Sequence, residues 1–279
     1  MSFNLSNKQS MTCLAKHFFS TIALTLLVVL FQPLMAHSDT IIRTNALPDS
    51  PDLRFQYPGT LLKAALDITT DEYGPYEIKP LDQQISRNRA LIELGKGNIE
   101  VFSAPTRQNW EEEALPVRIP LRRGLGGFKL LFIHEADKDK FASIQDINIY
   151  KRIPMGGGSQ WSSTLAYNKM GFTMVGGTEY AALFDMFQGG RFDFFPRGIN
   201  EVYKELAKFG PKVPDMIIEP TVAFYLPNPT YFFISPKQPE LAERIERGLN
   251  KLVWNGTFDK LFFKSFSENI IQADLNSRP

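Results

Sequence analysis

The residues of this chain whose types and spacing could do chemistry gather between Lys151 and Gly198. The stretch reads KRIPMGGGSQWSSTLAYNKMGF, then TMVGGTEYAALFDMFQGG, then RFDFFPRG. A short run ends in three consecutive glycines, and Ser159 stands where a helix N-cap is expected. The backbone amides around Gly158 and Ser159 are therefore candidate anion donors, aided by the dipole of a helix beginning near Gln160. Arg197 adds a guanidinium, whose planar fork binds carboxylate or phosphate and repels an ammonium group. The alternative for Arg197 is an ion pair with a local acid such as Glu201 or Asp193. Trp161 either stacks on a ligand or packs between helix and sheet. No nucleotide motif is present here: GGGSQW lacks the third glycine of G-x-G-x-x-G, and there is no GK[ST].

These residues need elements to hold them. Tyr180, Leu183, Phe184 and Phe187 fall at i, i+3, i+4 and i+7, the spacing of an amphipathic helix. Arg191 to Phe195 is short and aromatic and reads as a strand. The unit is strand, glycine turn, helix, strand and helix, which implies a parallel sheet with ligands at the strand ends.

Upstream, TIIRT (40–44), YEIKPL (76–81) and IEVFS (99–103) read as strands. Helices follow them, one with Leu61, Leu62, Ala65 and Ile68 inward, one capped by Ser86, and a short one capped by Thr106. The segment 45–59, NALPDSPDLRFQYPG, reads as a loop. VRIPL and GLGGFKLLFI are extended, and the second leaves this first lobe. PTVAFYLPNPTYFFIS (220–235) reads as a return crossing plus a strand. PELAERIERGLNKLVWNG is a helix with Leu241, Ile245, Leu249 and Leu252 inward, and TFDKLFFKSF begins another. The expected fold class is α/β, with two lobes and two crossover strands forming a hinge around a cleft. Lobe 1 is assigned residues 37–127 with 226–279, and lobe 2 residues 128–225.

Residues 1–36 read as an export signal. Lys8 and Lys16 precede the apolar run 21–31, and small residues follow it. Cleavage is expected after Ala36 or Ser38, with Met1 or Met11 as the start; an uncleaved anchor is the alternative. The one cysteine, Cys13, precedes the apolar run, so the exported chain has no disulfide, thiolate metal site or cysteine nucleophile. A formal charge of +1, from dispersed lysines and arginines balanced by acids, gives no nucleic-acid footprint.

Several strings, in order, resemble the periplasmic solute-binding proteins of the amino-acid (family 3) type. They are GKGNIEVFSAPT, IQDINIYKRIPMGGGSQW, ALFDMFQGGRFDFF and, most similar, PELAERIERGLNKLVWNGTFDKLF. The resemblance covers essentially all of the chain after the signal, and is strongest to an uncharacterised subgroup with an FPRG-type string. It implies the type II periplasmic-binding fold and ligand contacts near Ser103 and Thr106, with a hydroxyl and amides from the Gly158–Ser159 loop. The family places an arginine three positions after its threonine to hold the ligand's α-carboxylate. Here that position is Asn109, and the arginine is Arg107, which either reaches the cleft or points into solvent. The family also places an acid after the RFD-like strand for the ligand's ammonium, whereas Arg197 stands there. Trp110 and Tyr57 are further contact candidates, with core packing as their alternative.

The implied function is capture of a small anionic or carboxylate-bearing solute by a monomeric periplasmic protein, for delivery to an inner-membrane ABC permease. No cofactor, metal or catalytic group is expected. A ligand-responsive sensor of the same fold is the second reading. The third is an enzyme resembling periplasmic cyclohexadienyl dehydratases, with Glu112 or Glu219 as the acid and His134 isolated in a charged connection.

Overall fold

The computed structural model describes residues 40–278, apart from Pro51, Asp52, Asp82 and Gln84. The expected signal 1–36, its cleavage points, Met11 and Cys13 lie outside the described residues. The described chain folds around two sheets. The first contains β1 (Thr40–Thr44), β2 (Tyr76–Pro80), β3 (Val101–Pro105), β4 (Leu115–Val117) and β11 (Thr230–Ile234), in the order β2-β1-β3-β11-β4. The second contains β5 (Phe128–His134), β6 (Met155–Gly158), β7 (Met174–Gly177), β8 (Phe194–Gly198) and β10 (Phe224–Tyr225), in the order β10-β5-β8-β6-β7, with β9 (Met216–Ile218) paired to β5. Strands β1, β2 and β3 run parallel, as do β6, β7 and β8. The chain passes from the first sheet to the second between Val117 and Phe128, and returns between Tyr225 and Thr230.

The parallel strands follow from right-handed β-α steps, which need a helix between each pair. In the first lobe these are α1 (Leu53–Asp67), the short α2 (Thr70–Tyr73), α3 (Arg87–Lys96) and α4 (Gln108–Glu113). The charged connection holds α5 (Lys138–Ala142) and α6 (Ile147–Arg152). The second lobe continues with α7 (Ser162–Lys169), α8 (Ala182–Gln188) and α9 (Val202–Phe209). The last two helices, α10 (Pro239–Trp254) and α11 (Thr257–Ala273), pack back on the first lobe. The inward faces expected from periodicity are buried: Leu61, Leu62 and Ala65 on α1, Ala90, Leu91 and Leu94 on α3, Leu183, Phe184 and Phe187 on α8, and Leu241, Ile245, Leu249 and Leu252 on α10.

Three local readings change. Helix α1 begins at Leu53, so much of the expected 45–59 loop is helical, with Pro58 inside the helix. Proline removes the amide that would bond to the carbonyl four residues back. That carbonyl belongs to Arg54, and it accepts a hydrogen bond from Arg122 Nη2 at 2.7 Å instead. The proline is tolerated because a side chain from the crossing segment replaces the missing donor. Second, the strand expected at Arg191 to Phe195 lies at Phe194–Gly198, so Arg197 is inside β8 rather than after it, and TMVGG supplies the edge strand β7. Third, of the three expected caps only Ser86 acts as one, accepting from the Arg89 amide at the start of α3; Thr106 and Ser159 do not. The residue before α4 is Arg107, and the one before α7 is Trp161, both without a side-chain capping bond.

Gly248 sits where α10 crosses α1. A methyl group there would overlap the carbonyl of Ala65. Gly248→Ala is expected to destabilise the protein by about 1–3 kcal/mol through forced separation of the two helices, read as a lower denaturation midpoint at unchanged slope.

Candidate functional site

In open parallel sheets, ligands bind beyond the carboxyl ends of the strands. Here those ends are Thr44, Pro80 and Pro105 in the first sheet and Gly158, Gly177 and Gly198 in the second. The two edges approach each other. Arg87, in the first turn of α3, donates from Nη1 to Ser162 Oγ at 3.4 Å, and Ser162 Oγ lies 3.4 Å from the carbonyl of Pro105. Beside this bridge is a groove of about 560 Å³, lined by Thr106 and Arg107 from one lobe, Ser162 and Leu165 from the other, and Leu226 to Asn228 of the return crossing.

The residues singled out by sequence divide between this region and the core. Thr106 lines the groove but donates its hydroxyl to Glu111 Oε1 at 2.5 Å. Arg107 also lines it, with Nη2 donating to Asn88 Oδ1 at 2.7 Å. Ser103 is buried in β3, its amide donating to Asn45 Oδ1 at 2.8 Å. Trp110 is only 1% exposed and packs against Phe102 and Phe233. Tyr57 is buried against Phe262 and Phe266, its hydroxyl without a hydrogen-bond partner among the described residues. For both rings the packing alternative describes the observed contacts.

Of the expected amide donors, that of Ser159 is already engaged. The Ser159 amide donates to the carbonyl of Gly177 at 2.8 Å, and its hydroxyl donates to the same oxygen at 3.2 Å. Gly158 is glycine for a packing reason, since a Cβ there would overlap the indole of Trp161. At Ser159 the loop therefore closes on β7.

Arg197 differs most from the expected anion grip. Only 4% exposed on β8, it donates from Nε to Glu205 Oε2 at 2.7 Å and from Nη2 to Glu205 Oε1 at 2.5 Å and Glu201 Oε2 at 2.9 Å. The fork that was expected to hold an external carboxylate holds two internal ones. Glu201 was the alternative partner named from sequence; Glu205, one helical turn further on, was not. Tyr180 completes the arrangement by donating to Glu205 Oε1 at 2.6 Å. The guanidinium lies 4.6 Å from the ring centre of Trp161 and 5.1 Å from that of Phe195, so the indole stacks on a cation of the protein itself. Burial alone would lower the Arg197 pKa, but Glu205 and Glu201 outweigh it and hold the guanidinium firmly charged.

Around this pair lies a set of cations that pattern reading missed. Arg54, at the start of α1, lies 5.1 Å over the ring of Tyr180. Arg122, in the forward crossing, is tied to Arg54 by the bond to its carbonyl and donates from Nη1 to Thr230 Oγ1 at 3.0 Å, while its Nε is buried without a partner among the described residues. Arg87 bridges to Ser162. Lys129, on β5 directly opposite Gly198, is buried. Burial pushes the Lys129 ammonium down to about 8 despite the pull of Glu201, with Arg197 and Arg122 pushing the same way as burial. Burial would raise Glu201, but Arg197 first, then Lys129, Arg122 and Arg54, hold it down at about 2. None of these cations belongs to a motif; strand-end placement alone could have marked Arg87 and Lys129.

The acids and the histidine considered for catalysis are occupied. Glu219 is fully buried and accepts from the Thr221 hydroxyl and from the amides of Thr221 and Val222. Glu112 is exposed at the groove and accepts from Gln108 at 2.8 Å. His134 lies between the carboxylate of Asp215 and the carbonyl of Phe187, stacked on the Phe187 ring. Among the described residues no cluster of His, Cys, Asp and Glu could hold a metal, and no helix is long and apolar enough to cross a membrane.

This is the two-lobed α/β fold of substrate-binding proteins. Solved structures sharing it include an ancestral arginine-binding protein bound to arginine, at 18% identity and TM-score 0.58, covering 82% of this chain and 98% of that one. A protein from glutathione import in Streptococcus mutans matches at 15% identity and TM-score 0.59, covering 82% and 96%. An ancestral amino acid-binding protein, a precursor of cyclohexadienyl dehydratase, matches at 16% identity and TM-score 0.55, covering 82% and 95%. No protein-family model matches the sequence, and neither does any curated protein.

Removing Glu205 leaves a buried guanidinium with only Glu201. Glu205→Ala is expected to lower unfolding free energy by about 3–5 kcal/mol, measured by denaturant titration. Because the folded pKa of Glu201 is depressed, its stabilising contribution is present above the ordinary glutamate range and is lost as pH falls towards 2. Glu201→Gln should flatten the acid limb of the stability profile between about pH 4 and pH 2.

Proposed function

We propose that this protein is a periplasmic solute-binding protein of the amino-acid importer type, which closes its two lobes on a small anionic solute and presents it to an inner-membrane ABC permease. The observation that carries this reading is the convergence of cations from both lobes on the facing strand ends. Arg54, Arg87 and Arg122 stand on one side, and Lys129 and Arg197 on the other. The fold supplies the closing motion, since two crossings between two sheets permit one lobe to move against the other. Lys129 and Arg197 are buried and Arg54, Arg87 and Arg122 half-buried; cations drawn out of water are favourable when an anion answers them, so the solute and closure would stabilise each other.

This reading departs from two named neighbours. One was solved with arginine, a cation, and another is described as amino-acid-binding. Arg197 and its companions would oppose a cationic ligand. The grip on the solute is assigned here to Arg87, Arg122 and Lys129, with Arg197 as the charged, rigid wall beneath them. Function as a monomer and export through the signal 1–36 complete the proposal.

Thermal-shift screening of the purified protein against carboxylates, sugar acids, phosphate and amino acids tests it. A ligand present at a hundredfold excess over its Kd should add about 2.7 kcal/mol of stability. Arg87→Ala and Arg122→Ala should each weaken an identified anion by about 10–100-fold, as expected for one lost charge-assisted hydrogen bond. Stabilisation by arginine or lysine alone would overturn the anionic assignment.

A further inference from the structure

Counting charge at the facing strand ends narrows the ligand further. Arg54 is set aside, since it has interactions of its own. Four cations then remain, Arg87, Arg122, Lys129 and Arg197, against the two carboxylates Glu201 and Glu205. Both carboxylates are bonded to Arg197. Arg87, Arg122 and Lys129 have no ion-pair partner among the described residues, although Glu201 lies near enough to act on all three.

Their donors are also underused. Lys129 is only 9% exposed, and its ammonium has no hydrogen-bond partner among the described residues. Arg122 keeps a buried Nε without an acceptor among the described residues. Among the described residues the Arg87 guanidinium makes one hydrogen bond, at 3.4 Å, at the outer limit of such a bond. Leaving a buried charge unanswered is costly, so structures pair such groups or present them to a ligand. A singly charged ligand would answer only half of the excess, and an ammonium group would add to it.

Resting on the solute-binding reading, we infer that the ligand is a dianion without an ammonium group, a dicarboxylate or a phosphate monoester. A dicarboxylate would place one acid group at Lys129 on the second lobe and the other at Arg87 and the Arg122 Nε on the first; a phosphate monoester would present different oxygens of its one dianionic group to the two sides. Engaging both lobes at once, such a ligand would draw them together, whereas a monoanion would satisfy one side.

A pH dependence follows. Lys129 faces Glu201 and Glu205 as well as Arg197 and Arg122, and its pKa lies at about 8, depressed from that of a free lysine. An anion binds the protonated form, so affinity is full below about pH 8 and falls as pH rises through it, approaching tenfold per unit.

Calorimetric titration of the purified protein with succinate, butyrate, glutamate, inorganic phosphate, glycerol 3-phosphate and arginine tests the inference. At pH 7 succinate or glycerol 3-phosphate should bind at least a hundredfold more tightly than butyrate or glutamate, and which of the two binds identifies the acid type. Lys129→Met should weaken the dianion at least tenfold and abolish the loss of affinity above pH 8. The melting temperature of the unliganded variant should equal or exceed that of the parent, because an unpaired buried charge has been removed. Equal affinity for butyrate, or preference for glutamate, overturns the dianion while leaving solute binding intact. No binding of any of these, or of the wider solute panel, overturns the solute-binding reading and this inference with it.

Discussion

The buried pairing of Arg197 with Glu205 and Glu201 is the interaction on which the second lobe depends. It joins the end of β8 to the first turns of α9, and through Tyr180 it reaches the start of α8. Three aromatic rings, Trp161, Tyr180 and Phe195, close around the guanidinium. Such a pair adds little net stability when intact, because desolvation offsets most of its attraction. Its effect is on geometry: the ends of β6 and β8 and the residues before α8 hold one fixed relation, and a rigid strand-end surface results.

The first lobe reaches the same region by a different device. Pro58 deprives Arg54 of its helical partner, and Arg122 supplies the missing bond from the crossing segment. The same guanidinium donates to Thr230 at the start of β11, where the chain has just returned. One arginine thus links the first helix, the outward crossing and the inward crossing. Movement of the lobes about those crossings has to rearrange or carry along this residue.

Much of the architecture was legible in the sequence because it rests on periodic apolar burial. The faces of α1, α3, α8 and α10, the parallel β-α steps and the two crossings all follow from spacing that a chain cannot satisfy in many ways. Boundaries were less legible where one contact overrides local preference, as at Pro58, whose compensating donor lies 64 positions further along the chain by residue number. The candidate site was legible only in part. Arg197 and Glu201 stand four residues apart, so their pairing was a visible alternative. Glu205 required knowing that α9 turns back under β8. Arg54, Arg87, Arg122 and Lys129 come from four separate elements, and only the approach of two sheet edges gathers them. Trp110 and Tyr57 show the converse: sequence position alone does not separate an aromatic ring at a cleft from one in the core, and both rings fill the core.

The three tryptophans occupy three different optical environments. Trp110 is sealed in the first-lobe core, Trp254 at the end of α10 is 88% exposed, and Trp161 lies over the Arg197 guanidinium beside the interlobe bridge. Emission from Trp161 is therefore coupled to the local electric field and hydration of the strand-end surface, while Trp254 is open to a collisional quencher and Trp110 is shielded from both. The molecule thus carries a probe of the strand-end surface, an exposed reference and a shielded one, which a collisional quencher can tell apart without a label.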